Sequence, residues 1–99
     1  MTCYATVAEI KRANRAAGRH FFDAAAMRFF RSRVSGPVIG CRYFVTSERF
    51  SDDTPRGYTV RSVDDAGNID TVHPDVQVDG FMYYPSRRAA LAAARALDA

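Results

Sequence analysis

Two histidines, two cysteines and eleven carboxylates are the residues of this 99-residue sequence with the chemistry for acid–base, nucleophilic or metal work. His20 precedes Asp23 by three residues and His73 precedes Asp75 by two, so a carboxylate could orient either imidazole as a general base. A histidine in a turn between helices or before a proline is more often a surface residue, and both read that way. A nucleophile pair would need Cys41 to meet His20 or His73 in space, with Arg42 lowering the thiol pKa. Beside Gly40 on a strand, Cys41 reads instead as a small core hydrophobe. Asp52, Asp53, Asp64, Asp65 and Asp70 lack the alternating spacing of a calcium loop and fall in turns, where Asp is favoured anyway. Gly36-Pro37-Val38-Ile39-Gly40 has neither the lysine nor the following helix of a phosphate loop. No catalytic, cofactor or metal site is assigned, and the chain is expected not to be an enzyme. Cys3 and Cys41 are too few for a disulfide framework or a thiolate zinc site, so reduced thiols are expected.

Charge is more informative than nucleophiles. The net charge of +3 hides an asymmetry: residues 1–50 carry nine Lys/Arg against three acids, and residues 51–99 carry five Arg against eight Asp. Thirteen of the fourteen cations are arginine, which suits bidentate recognition of carboxylate or phosphate, although a GC-rich genome produces the same excess. A dipolar surface of this kind steers toward an anionic partner or neutralises itself on folding. The candidate partner-binding residues are Arg12, Arg15, Arg28, Arg31, Arg42, Arg49 and Arg61, taken as exposed, with the loop acids Asp52 and Asp53. A merely solvated face is the competing explanation for the same residues.

The elements that must position these side chains follow from spacing. Thr6-Val7-Ala8-Glu9 fits a capping box, Val7, Ile10, Ala13 and Ala17 recur at helical spacing, and Gly18 can end that helix in the left-handed region. Asp23 can cap a second helix running to about Arg33, with Phe22 stapling onto Met27 and with Ala26, Phe29 and Phe30 as its core face. Ser35-Gly36-Pro37 ends the helical region, and alternation from 38 to 49 predicts a strand. Tyr58 to Val63 and Ile69 to Val72 predict two more strands, joined by the turn Asp64-Asp65-Ala66-Gly67-Asn68. Residues 73–80 read as a loop with a possible edge strand through Val76 and Val78. Ser86 caps a final helix to about Leu97, in which Ala90, Leu91, Ala94 and Leu97 face the sheet and Arg88 and Arg95 lie to one side.

The order α-α-β-β-β-α predicts one α+β domain over 1–99, a three-stranded antiparallel meander with helices covering one face in two layers. Seven phenylalanines and five tyrosines supply the core's bulk in the absence of tryptophan. No apolar run approaches the roughly 20 residues of a membrane span, and Met1-Thr2-Cys3 lacks a signal-peptide layout. The expected location is a cytoplasm, with no membrane partner.

Two resemblances bear on function. Arg42 to Leu97, with Gly80-Phe81 before Pro85-Ser86-Arg87-Arg88-Ala89-Ala90, resembles the three-stranded DNA-binding domain of plant ethylene-response transcription factors and integrase arm-binding domains. That likeness implies a sheet reading nucleic acid through Arg42, Arg49, Arg56 and Arg61 with Tyr43 and Tyr58, and phosphate contacts from Arg87 and Arg88. The family's strand tryptophans are missing here, and eight acids in that half oppose a polyanion.

His20-Phe21-Phe22-Asp23, Ala26-Met27-Arg28-Phe29-Phe30, Arg33-Val34, Arg42-Tyr43-Phe44-Val45-Thr46-Ser47-Glu48, Tyr58-Thr59-Val60-Arg61, Gly67-Asn68-Ile69 and Gly80-Phe81 resemble a family of short proteins from phages, plasmids and integrated elements. This resemblance covers nearly the whole chain. By analogy of context it implies a stoichiometric inhibitor of a host defence complex, like an anti-CRISPR protein docked on a Cas subunit in the bacterial cytoplasm. The expected function is therefore non-catalytic binding of such a complex, as a monomer or homodimer without a cofactor, with direct nucleic-acid binding as the alternative.

Overall fold

The computed structural model describes residues 2–29, 31–49, 51–53, 55–72 and 83–99. Helix α1 (Val7–Ala16) starts where the capping box places it, because Thr6 Oγ1 accepts the Glu9 N–H at 3.3 Å. The Glu9 carboxylate reaches one residue further upstream and accepts the Ala5 N–H at 3.0 Å. Gly18 takes φ +75°, and the N–H groups of Gly18 and Arg19 return to the carbonyls of Arg15 and Asn14, which closes the helix in a Schellman motif.

Helix α2 (Ala24–Phe29) is much shorter than its expected run to Arg33. Arg31 adopts φ +52°, its N–H bonds the Arg28 carbonyl, and the Ser32 N–H bonds the Met27 carbonyl, so a second Schellman motif ends the helix on a non-glycine residue. Past that turn lies a short strand the sequence pattern did not show, β1 (Arg33–Val34). It pairs antiparallel with β2 (Tyr43–Glu48), which pairs with β3 (Gly57–Val63), which pairs with β4 (Ile69–Val72). Among the described residues the meander thus has four strands in the order β1-β2-β3-β4, and the expectation of three is corrected by this added edge. The α+β class holds.

Helices cover both faces of the sheet, which replaces the expected two layers with three. On one face Phe44 and Val63 meet Ile10 of α1, Tyr4 and Phe22 in a buried cluster, with Phe21 and Ile69 at its margin. On the other, Val45 and Val60 pack against Ala90 and Ala94 of α3 (Arg87–Asp98), capped by the Ser86 hydroxyl. Small alanines let that helix lie close, and each fully buried Val or Phe contributes about 1.5–3 kcal/mol. Leu97 stands at the last turn and is exposed, contrary to its expected core position. Ala26 and Phe29 are exposed as well, which overturns the expected core face of α2. Phe30, Phe50, Phe81, His73, Asp75 and the expected edge strand through Val76 and Val78 lie outside the described residues.

The cysteines correct another expectation. Gly40 and Cys41 both take positive φ, +61° and +69°, as the two central residues of a type I′ turn do, and the turn carries Cys41 to the N-terminal arm. Cys3 and Cys41 are joined as a disulfide with their Cα atoms 4.5 Å apart. Beside the bond, the Tyr4 N–H donates to the Cys41 carbonyl at 3.1 Å and the Tyr4 hydroxyl donates to the Asp64 carbonyl at 2.8 Å. These ties, with the Thr2 N–H donating to Asp65 Oδ1 at 2.9 Å, hold the arm where sequence spacing suggested two independent thiols.

Candidate functional site

Helix α2 is six residues long and buries none of them. A helix this short has no stability of its own, so it stands on its ends. At its start the Asp23 carbonyl accepts the Met27 N–H at 3.0 Å, while the Asp23 carboxylate, expected as a cap, meets His20 Nδ1 at 2.8 Å instead. At its end Arg56 Nη1 donates to the Arg31 carbonyl at 2.9 Å and to Ser47 Oγ at 2.9 Å, anchoring the left-handed turn to β2. Arg31 Nη1 bridges to Asp52 Oδ1 at 2.6 Å, and this hydrogen bond holds the Asp52 carboxyl below its usual range.

The scaffold presents an apolar surface ringed by cations. Phe29 is 78% exposed, and Val34 on the edge strand is exposed too. Arg28, Arg31 and Arg33, their neighbours in sequence, line an open cleft of about 390 Å³ together with Ala24, Met27 and Ser32. Exposed large apolar groups rimmed by charge mark interaction surfaces more often than isolated exposed leucines do.

The expected site residues divide. Arg28 and Arg31 flank Phe29, with Asp52 held by Arg31 and with Arg49 folded onto the Ser51 and Asp52 carbonyls at 3.1 and 2.5 Å. Asp53 is exposed in the same loop, and Arg12 and Arg15 lie on the solvent face of α1. Arg42 and Arg61 were expected to be exposed and are not. Arg42 Nη2 pairs with Asp65 at 2.9 Å. Arg61 Nη2 pairs with Glu48 Oε1 at 2.7 Å, its Nε donates to Thr46 Oγ1 at 3.0 Å, its Nη1 donates to Thr71 Oγ1, and its guanidinium lies 5.2 Å from the centre of the Phe21 ring. Thr46 and Thr59 complete the bonds to the buried Glu48 carboxylate at 2.5 and 2.8 Å. That network ties β2, β3 and β4 together and leaves little capacity for a partner.

A sheet face reading nucleic acid loses its surface for the same reason. Tyr43 and Tyr58 pack into the cluster under α3, and Arg61 is spent inside the other layer. His20 and Asp23 form an exposed pair, and Cys41 is bonded to Cys3, so no thiol stands beside the imidazole in this state. Among the described residues no group of three His, Cys, Asp or Glu is placed to hold a metal ion, and no helix is long and apolar enough to cross a membrane.

Sequence reasoning missed Phe29, Val34 and Arg33 as members of the site, and gave Arg56 only to the nucleic-acid alternative. The signal for Phe29 was the Ala24-Ala25-Ala26 run before it, which gives the helix no bulky stripe with which to bury a phenylalanine. Against known proteins, residues 6–95 match the model of a family described as of unknown function, DUF7447. No curated protein and no solved structure matches the chain.

Proposed function

The chain belongs to DUF7447, a family of unknown function, and we propose that it is a non-catalytic binding protein that docks through the α2–β1 edge. The partner surface offers an apolar pocket for Phe29 within an acidic surround that meets Arg28, Arg31 and Arg33. The observation that carries this reading is the 78% exposure of Phe29 on a helix that buries no residue. In its narrower form the partner is a subunit of a host defence complex, such as a CRISPR effector in a bacterial cytoplasm, and the chain inhibits it by occupancy. The resemblance to small proteins of mobile elements supports that form.

Direct nucleic-acid binding is the second reading. It is favoured by the same guanidinium groups, together with Arg49 and Arg56, clustered at one edge of the sheet. Two assays separate the readings. The chain, expressed in a bacterium with active CRISPR interference, is expected to restore plaque formation by a targeted phage. In a gel shift it is expected to leave random duplex unshifted at about 50 mM salt. A shift that fades steeply between about 50 and 200 mM salt would transfer the edge to a phosphate backbone. Failure to restore plaques would remove the CRISPR form of the proposal.

A further inference from the structure

Strand β1 is an edge of the sheet, and the ladder beside it fixes which way its backbone points. On one side of β2 the Val45 carbonyl accepts the Ser35 N–H at 2.8 Å, and on the other the Arg42 carbonyl accepts the Val63 N–H at 2.9 Å. Backbone groups alternate in direction along a strand, so Val45 and Ser47 turn toward β1, while Phe44, Thr46 and Glu48 turn toward β3. Val34 stands opposite Thr46. Its N–H and its C=O therefore both point away from β2, and no described residue bonds them.

The side chains around this edge give it a sign. Val34 lies on the Thr46 face of the sheet and is 38% exposed, and Arg33 beside it and Arg28 on α2 are exposed too. Arg56 is fixed in place: its Nη1 donates to the carbonyls of Arg31 and Ser47 at 2.9 and 3.2 Å and to Ser47 Oγ at 2.9 Å. These acceptors are neutral, so its charge is held at the edge of the sheet without a carboxylate among the described residues. Arg31 is neutralised by Asp52, and Asp23, at the other end of α2, is turned to His20. Four arginines thus stand there against the two loop acids, Asp52 and Asp53.

We propose that an extended acidic segment of the docked partner adds to the sheet as a further strand beside β1. The residue opposite Val34 exchanges two backbone hydrogen bonds with it, donating its N–H to the Val34 carbonyl and accepting the Val34 N–H. An apolar side chain at that residue covers Val34 on the same face, and a glutamate or aspartate next to it comes beside Arg33. In the free chain water serves the Val34 groups, and the strand replaces it with bonds of fixed direction. A second copy of this chain fits poorly, because its own β1 brings the same arginines against these. The proposal rests on docking at the α2–β1 edge and names the form the partner takes there.

The probe is the blocked pentapeptide acetyl-EEVEE-amide, titrated into the ¹⁵N-labelled full chain and followed by two-dimensional NMR and amide hydrogen exchange. Before addition, the Val34 amide is expected to exchange at least about tenfold faster than that of Ser35, which donates to β2. The peptide is expected to shift the amides of 33–35 saturably, with Kd at or below about 1 mM, and to slow exchange at Val34. Methylating the nitrogen of its central valine keeps every charge and side chain but removes the donor, and is expected to weaken binding at least about tenfold. Val34→Pro removes the outward N–H and none of the bonds to β2, a change that edge strands tolerate, and is expected to lose the same shifts. If that variant does not fold, the two peptides decide the matter on the parent chain. Equal binding of the methylated peptide, or no shifts up to about 5 mM of the parent peptide, would overturn strand addition. Plaque restoration is read separately, so a chain that restores plaques without binding the peptide docks by side chains alone, and one that binds the peptide without restoring plaques keeps the strand site and loses the CRISPR partner.

Discussion

Arg61 and Glu48 form an ion pair at 2.7 Å between neighbouring strands, with the Glu48 side chain 6% exposed and the Arg61 side chain 17%. Removing one member strands the other charge in the sheet, a change that typically costs about 3–5 kcal/mol. Glu48→Ala and Arg61→Ala are each expected to lose that much in urea unfolding. Replacing both together, as Glu48→Met with Arg61→Leu, is expected to cost less than either single change. A double variant as unstable as the sum of the singles would mean that the pair is not the unit of stability here.

The Cys3–Cys41 bond closes a loop with a sequence separation of 38. A cross-link over a loop of this size contributes about 2–4 kcal/mol, chiefly by restricting the unfolded chain. In dithiothreitol, or as Cys3→Ser with Cys41→Ser, the melting temperature is expected to fall by at least about 8 °C while the near-UV spectrum of the folded state persists. An unchanged melting curve would show that the hydrogen bonds of Thr2 and Tyr4 suffice to hold the arm.

Acid sensitivity has a local origin in the β3–β4 turn. The Asn68 side-chain amide, first among its donors, bonds Asp64 at 3.0 Å, and the backbone N–H groups of Asn68 and Ala66 add to it, all lowering the Asp64 pKa from its ordinary 3.8. Asp65 is lowered in turn, first by the Thr2 N–H and then by Arg42. A carboxyl depressed in the folded state stabilises above its unfolded pKa and loses that contribution as pH falls through the folded value. Carboxyl ¹³C titration is expected to place Asp64 below 3.8 and, in Asn68→Ala, to move it back up toward that value. No movement would show that the backbone donors suffice.

Much of the fold was legible because local signals and packing agree in α1, in α3 and in β3 and β4, whereas the strand expected over 38–49 is shortened to Tyr43–Glu48 by the turn at Gly40 and Cys41. The capping box at Thr6, the hydroxyl of Ser86 and the left-handed Gly18 each act where spacing put them. The stretch from Asp23 to Val34 was not legible, since its helical pattern continues past Phe29 and the left-handed turn at Arg31, anchored by the Arg56 bond to the Arg31 carbonyl, sets where the chain turns into a strand. That contact comes from residues about 25 apart in sequence, beyond the reach of any local rule. The same override hid the site. Phe29 reads as core by type, and Arg42 and Arg61 read as exposed by type, until cross-strand partners decide each case. The disulfide was hidden by the positive φ of Cys41, which spacing does not announce.

The central claim is that the α2–β1 edge is the docking surface, and matched variants in the phage-plating assay test it most directly. Arg28→Glu with Phe29→Glu changes two exposed side chains, while Arg88→Glu with Arg95→Glu makes a charge change at least as large on the exposed side of α3. Both variants are expected to melt within about 0.5 kcal/mol of the parent, because exposed charges contribute little to folding. The account predicts that the α2 variant loses restoration of plaques, consistent with a loss of at least about 2 kcal/mol in binding, and that the α3 variant keeps it. Loss in the α3 variant with full activity in the α2 variant would contradict the account and move the functional face to the opposite layer of the sheet.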